Sequence, residues 1–183
     1  MLYIIRHGKT DWNVKHKLQG KTDVPLNDEG RAMAEKAREE YKDVHFDIVF
    51  CSPLVRARET AEILLRDRDI PIIIDDRLRE MCFGKYEGVE YSFDVPGCPV
   101  NVIFQEPENY KTPLEGAESF EDLFERTGEF LKEKVEPELE KGKDVLIVGH
   151  GAMNSSIVSQ IRNYPRKDFW SGGIENCKLM RLK

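Results

Sequence analysis

Two histidines stand where this sequence could do chemistry. His7 follows the apolar run Leu2–Ile5 (LYII) and the cation Arg6, and His150 follows Asp144–Gly149 (DVLIVG); each is followed by a glycine. Short apolar runs of this kind, with β-branched residues, are the pattern of strands buried on both faces. In open α/β sheets, ligands bind where such strands end. A third run, Phe46–Cys51, leads into a helix whose first turn holds Arg56. Helix N-termini and guanidinium forks both attract anionic oxygens. Three strand ends therefore bring Arg6, His7, Arg56 and His150 toward one region, and that region is an anion site. The competing reading pairs Arg6 and Arg56 with carboxylates such as Asp11 or Glu59. A cation placed straight after an apolar strand makes that pairing costly to leave incomplete. Glu80, set between apolar residues in LREMCFG, is expected to be partly desolvated and is the remaining candidate acid. Gly8 is expected to clear space for a close ligand, while His16 and His45 lack partners in the sequence and read as surface residues.

The elements that must hold these groups follow from the hydrophobic pattern. Asp11–Pro25 is polar and reads as a loop across the mouth of the first strand. Asn27 caps a helix whose buried stripe is Met33, Ala34, Ala37 and Tyr41. Ser52 and Pro53 are read as the cap and first residue of the next helix, with Leu54, Ala57, Ala61 and Leu64 inward. Pro71 precedes a third strand, Ile72–Ile74. From Asp75 to Gly116 turn formers replace periodicity, and the aromatics Phe83, Tyr86, Tyr91, Phe93, Phe104 and Tyr110 favour a packed flap. Ser119 with Asp122 resembles a capping box opening a helix that turns Phe120, Leu123, Phe124, Phe130 and Leu131 inward. Pro137 should kink or interrupt it. A helix over about 152–161 and an edge strand within Cys177–Leu182 close the chain. Strands alternating with helices predict an α/β fold with a mostly parallel sheet and one domain over residues 1–183.

Composition narrows the partners. The 183 residues are 40% hydrophobic and 34% charged, ordinary for a globular chain, with a net charge of −6. That charge argues against nucleic acid as a partner. No apolar run approaches a membrane span and no signal-peptide pattern opens the chain. Cys51, Cys82, Cys98 and Cys177 show no metal-binding spacing and read as reduced thiols of a cytoplasmic protein.

Arg6-His7-Gly8-Lys9-Thr10 with Trp12-Asn13 resembles the signature of the histidine phosphatase superfamily, which includes phosphoglycerate mutase. Further blocks resemble that family in order: Gln19–Leu26 with Gly30, Ser52-Pro53-Leu54 through Arg56-Ala57 and Thr60-Ala61, and Leu78-Arg79-Glu80 with Phe83-Gly84, Tyr86, Glu87 and Gly88. Gly116–Ser119 and Val148–Gly151 complete the set. Lys9, Lys17 and Asn154 depart from the residues commonest there. The resemblance implies a three-layer αβα sandwich with an antiparallel edge strand, phosphoglycerate mutase-like, in which a stretch at about 84–116 caps the substrate.

It also implies roles. His7 attacks phosphorus and becomes phosphohistidine, with the positive charge of Arg6 and Arg56 keeping its imidazole unprotonated. Arg6, Arg56 and His150 hold the nonbridging oxygens, and Asn13, Gln19 and Gly151 line the phosphate site. Glu80 protonates the leaving alkoxide and then takes a proton from water, a role requiring it to hold a proton beside the phosphate dianion. The expected activity is metal-independent hydrolysis of a small phosphate ester without a cofactor. A mutase returning the phosphoryl group to product, a noncatalytic phospho-ligand binder, and a metal held by His7, Glu80 and His150 are the alternatives. The flap aromatics suit a partly apolar leaving group, and Glu87, Glu90, Asp94, Glu106 and Glu108 are expected to disfavour highly anionic ones.

Overall fold

The computed structural model describes residues 1–90 and 94–183, so Tyr91 and Phe93 lie outside the described residues. Its framework begins with β1 (Leu2–Arg6). The segment expected to be loop then forms a one-turn helix, α1 (Asp11–Val14), because Thr10 and Asn13 cap one another. The Thr10 hydroxyl accepts the Asn13 N–H at 3.1 Å, and Asn13 Oδ1 accepts the Thr10 N–H at the same distance. Asn27 accepts from Gly30 N–H to start α2 (Asp28–Glu40), and β2 (Ile48–Cys51) is buried throughout.

The helix after β2, α3 (Val55–Leu64), begins at Leu54 as cap rather than at Ser52. Ser52 Oγ is engaged elsewhere: it accepts the Leu54 N–H at 3.3 Å and bonds His150 Nε2 at 2.7 Å. β3 (Ile72–Ile74) follows, and the aromatic stretch contains 3₁₀ turns and a short helix, α4 (Asn101–Gln105). Val100, Ile103 and Tyr110 are buried there, and Tyr110 packs edge-on to Phe120 at 5.5 Å.

Ser119 accepts the Asp122 N–H and opens α5 (Phe120–Phe130). The chain then widens into a π-helical stretch, Leu131–Val135, before α6 (Glu136–Glu140). Proline has no N–H and its ring crowds the preceding turn, so the wider turn before Pro137 accommodates it as an interruption. β4 (Val145–Gly149), α7 (Gly151–Arg162) and β5 (Leu179–Arg181) complete the framework.

The sheet order is β3-β2-β4-β1-β5, parallel except for β5, which runs antiparallel to β1. One face packs Ile5, Val49, Cys51, Leu146 and Val148 against α2 and α3. The other packs Leu2, Ile4, Phe50, Val145 and Ile147 under α5 and α7. The result is the expected three-layer α/β sandwich. Parallel register pairs Arg6 with Gly149 and Cys51 with Val148, so the chain leaves three neighbouring strands at the same level.

Candidate active site

Because Arg6 and Gly149 are partners across the sheet, the residues that follow them emerge side by side. The His7 and His150 rings lie 5.2 Å apart between centroids, inclined at 57°. Both are almost wholly buried. His7 Nδ1 lies 2.6 Å from the Gly8 carbonyl. A carbonyl only accepts, so Nδ1 carries the proton and Nε2 keeps its lone pair. Burial, and then the charges of Arg56 and Arg6, hold the His7 pKa well below the usual 6.5. For His150 the same causes act in the same direction, with His7 between the two arginines in weight.

Ser52 sets the second imidazole. Its oxygen accepts from Leu54 N–H at 3.3 Å, and His150 Nε2 at 2.7 Å is the acceptor that its hydroxyl proton reaches among the described residues. Nδ1 then bears the other proton, and among the described residues this buried nitrogen has no partner. Read from sequence as a helix cap, Ser52 is the clearest residue whose placement at the site was missed. The signal was available in its position after a buried strand, level with the strand that delivers His150.

Neither arginine pairs with Asp11 or Glu59. Glu59 instead accepts from Leu26 N–H and pairs with Arg31. Arg56 donates to the carbonyls of Thr22 and Gly20, at 2.8 Å each, and Arg6 donates to the Ile174 carbonyl at 3.4 Å. The Nε groups of Arg6 and Arg56 are buried without protein acceptors among the described residues. Burial draws the Arg56 pKa down to about 10 despite the opposing charge of Glu80, leaving it cationic at neutral pH.

Glu80 is buried, as its apolar neighbours suggested. Oε1 accepts from Met81 and Met153 N–H at 2.8 and 2.9 Å, and Oε2 from Ala152 N–H at 3.1 Å. Two of the donors belong to the first turn of α7, so the positive end of that helix faces this carboxylate. A Cβ on Gly151 would stand 3.6 Å from both Arg6 Cζ and Glu80 Oε2, and glycine there keeps the two groups facing across open space.

Arg6, His7, Asn13, Gln19, Arg56, Glu80 and Gly151 line one cavity of about 210 Å³. Gln19 Oε1 receives the Thr10 hydroxyl at 2.7 Å and Asn13 Oδ1 receives the Thr10 N–H at 3.1 Å, which leaves their NH₂ ends to donate. The outer wall is Lys17, Leu18, Phe83, Phe104 and Trp170. Trp170, unremarked in the sequence, stacks on Phe104 at 5.2 Å and donates its indole N–H to the Ile103 carbonyl.

Two expectations change. Gly8 is needed for packing rather than for a ligand, since a Cβ there would meet the Gly30 carbonyl oxygen at 2.5 Å. Of the flap carboxylates, none lines the cavity. Glu90 pairs with Lys17 at 3.6 Å, Glu106 binds Asn109, Asp94 and Glu108 are exposed, and Glu87 is bonded to backbone. Among the described residues no group of three His, Cys, Asp or Glu side chains is disposed to hold a metal, the trio His7, Glu80 and His150 included. His16 and His45 are exposed.

A parallel-sheet sandwich with paired strand-end histidines and a guanidinium-lined cavity defines a class, and residues 2–183 match the model of the histidine phosphatase superfamily (branch 1). The chain is 36% identical to an uncharacterized phosphatase, PhoE of Bacillus subtilis, over 98% of its own length and 81% of that protein. It is 31% identical to 2,3-bisphosphoglycerate-dependent phosphoglycerate mutase 2 of Gloeobacter violaceus, over 97% and 82% respectively. The solved structure of Bacillus stearothermophilus YhfR superposes with a TM-score of 0.85 at 32% identity, covering 97% of this chain and 88% of that one. The chain belongs to the histidine phosphatase superfamily, and its activity falls in the phosphatase or mutase class. No helix among the described residues is long and apolar enough to cross a membrane.

Proposed function

We propose that this protein hydrolyses a small phosphate monoester through a phosphohistidine on His7. The observation that supports this most is the protonation pattern of the paired imidazoles. The Gly8 carbonyl leaves His7 Nε2 as a free nucleophile, and Ser52 leaves His150 Nδ1–H as a free donor 5.2 Å away, ring to ring. His7 Nε2 attacks phosphorus while the ester P–O bond breaks, and Glu80 passes a proton to the departing alkoxide. Water then attacks phosphorus, Glu80 takes its proton, and the P–N bond breaks to release phosphate. Arg6, Arg56 and His150 stabilise the nonbridging oxygens through both transfers. Asn13 and Gln19 add neutral donors, and Gly151 keeps the space between Arg6 and Glu80 open.

Within the proposed cap at 84–116, Phe104 lines the cavity beside Trp170. This wall suits a partly apolar leaving group. A cap of so few residues is expected to shield phosphohistidine from water poorly, which favours hydrolysis over return of the phosphoryl group. No step needs a metal, because the two guanidinium groups balance the phosphate charge.

A panel of phosphate esters assayed for phosphate release, with and without EDTA, tests this reading. Release without bisphosphoglycerate and insensitive to EDTA is expected. Isomerisation that depends on bisphosphoglycerate and releases no phosphate would replace hydrolysis with mutase activity. Restoration of an EDTA-inhibited enzyme by metal would overturn the metal-free account.

A further inference from the structure

Glu87 lies at the base of the capping stretch, outside the cavity, yet its carboxylate gathers more bonds than most surface acids make. Oε1 accepts the N–H of Lys21 at 3.0 Å and of Phe83 at 3.1 Å, while Oε2 accepts the N–H and hydroxyl of Thr22 at 3.0 and 2.5 Å. Three of the four come from the mouth loop and one from the cavity wall. The packing is close: Gly20, at φ +55°, has no room for a Cβ, which would fall 2.1 Å from Glu87 Oε1.

The held loop in turn holds Arg56. Its two terminal nitrogens donate to the carbonyls of Gly20 and Thr22, the residues on either side of Lys21. Peptide planes are rigid, so fixing the N–H groups of Lys21 and Thr22 restrains the Gly20 carbonyl directly and the Thr22 carbonyl through its residue. Arg56 is fully buried and lines the cavity, and its Nε has no partner among the described residues. Asp23, accepting from Val55 N–H at 2.8 Å, ties the same loop to the first turn of α3. Glu87 thus lies two hydrogen bonds from the guanidinium that lines the cavity, and it also bonds the backbone of Phe83 in the outer wall.

We propose that Glu87 is a positioning residue for Arg56, aligning its guanidinium for the phosphoryl group and linking that alignment to the cap base at Phe83. The functional half of this assignment rests on the phosphatase reading; the alignment of Arg56 does not. Glutamine at position 87 keeps size and removes charge, and its NH₂ faces backbone donors that need an acceptor. Glu87→Gln is therefore expected to weaken binding of inorganic phosphate and orthovanadate at least about tenfold by titration calorimetry, and to lower kcat more than it raises KM, since Arg56 acts on transition-state charge.

Arg56→Lys keeps a cation but cannot span both carbonyls, so Glu87→Gln in that background should change phosphate affinity less than twofold. Thr22→Val, which removes one of the four bonds, should give an intermediate loss and serves if Glu87→Gln does not fold. ¹⁵N relaxation of the Arg56 Nε–H reads alignment without ligand: ordered in the wild type, mobile in Glu87→Gln and partly so in Thr22→Val. Unchanged order in these variants overturns the proposal, as does an equal loss of phosphate affinity in both arginine backgrounds. A wild type that binds no phosphate while Arg56 order still depends on Glu87 would instead sink the phosphatase reading alone.

Discussion

A neutral imidazole buried beside two guanidinium groups has little freedom of protonation, and the chemistry of His7 follows from that. Gly8 fixes which nitrogen is bare, and Ser52 does the reverse for His150. Ser52→Ala removes the hydroxyl that selects the His150 tautomer; a loss of about 1–2 kcal/mol, or roughly 5–30-fold in kcat, is expected. Unchanged kcat with only a lower melting temperature would mean that the hydroxyl serves the fold alone. Because the pKa of His7 lies well below 6.5, its ring proton resonances should stay those of neutral imidazole when the free enzyme is taken from pH 7 to 6. Titration centred at 6.5 would contradict the buried, cation-flanked setting. That His7, His150, Arg6, Arg56 and Glu80 come together was legible because strand ends and charged residues in apolar company are local signals. Ser52 and Glu87 were not, since each acts through a partner far away in the chain. Glu87, expected from sequence to disfavour highly anionic leaving groups, commits its oxygens to the backbone of Lys21, Thr22 and Phe83 and to the Thr22 hydroxyl.

Elements that needed a core to form were legible, and those that needed only a cap were not. Among the described residues, the long amphipathic helices and the five strands of the sheet fall close to where periodicity puts them. Helices as short as α1, α4 and α6 cannot form alone and leave no periodic trace, so α1 was hidden in a polar stretch until Thr10 and Asn13 met. Close backbone approach was equally hidden. The loop after β1 runs directly over the first turn of α2, where a Cβ on Gly30 would stand 2.0 Å from the Lys9 carbonyl oxygen. Gly30→Ala should therefore destabilise by about 1–3 kcal/mol, as other overpacked contacts do, and reduce phosphate affinity because the displaced loop carries His7. Urea unfolding within about 0.5 kcal/mol of the wild type would show that the loop can yield freely.

At the scale of the molecule, topology converts sequence distance into contact. Placing β4 between β1 and β2 sets His7 and His150 level, with Ser52 one step behind, although 143 residues separate the two histidines, and a slip of one residue would turn the strand's side chains to the wrong faces. The arrangement has a stability consequence. His7 and His150 bind protons less readily folded than unfolded, so their stabilisation is present above pH 6.5 and is lost as pH falls toward their folded values. The slope is about 1.4 kcal/mol per pH unit for each imidazole. Urea titrations should find the protein less stable at pH 5.5 than at pH 7, and His150→Gln should shrink that difference. An identical stability at both pH values would contradict two neutral buried imidazoles.

The most direct measurement traps the intermediate. Wild-type protein mixed with ³²P-labelled substrate and quenched in alkali should carry one alkali-stable, acid-labile phosphoryl group, mapped to His7. The His7→Ala variant should carry none and turn over at least about 10³-fold more slowly. Turnover at the wild-type rate with no label on His7, or normal turnover by His7→Ala, would contradict the account.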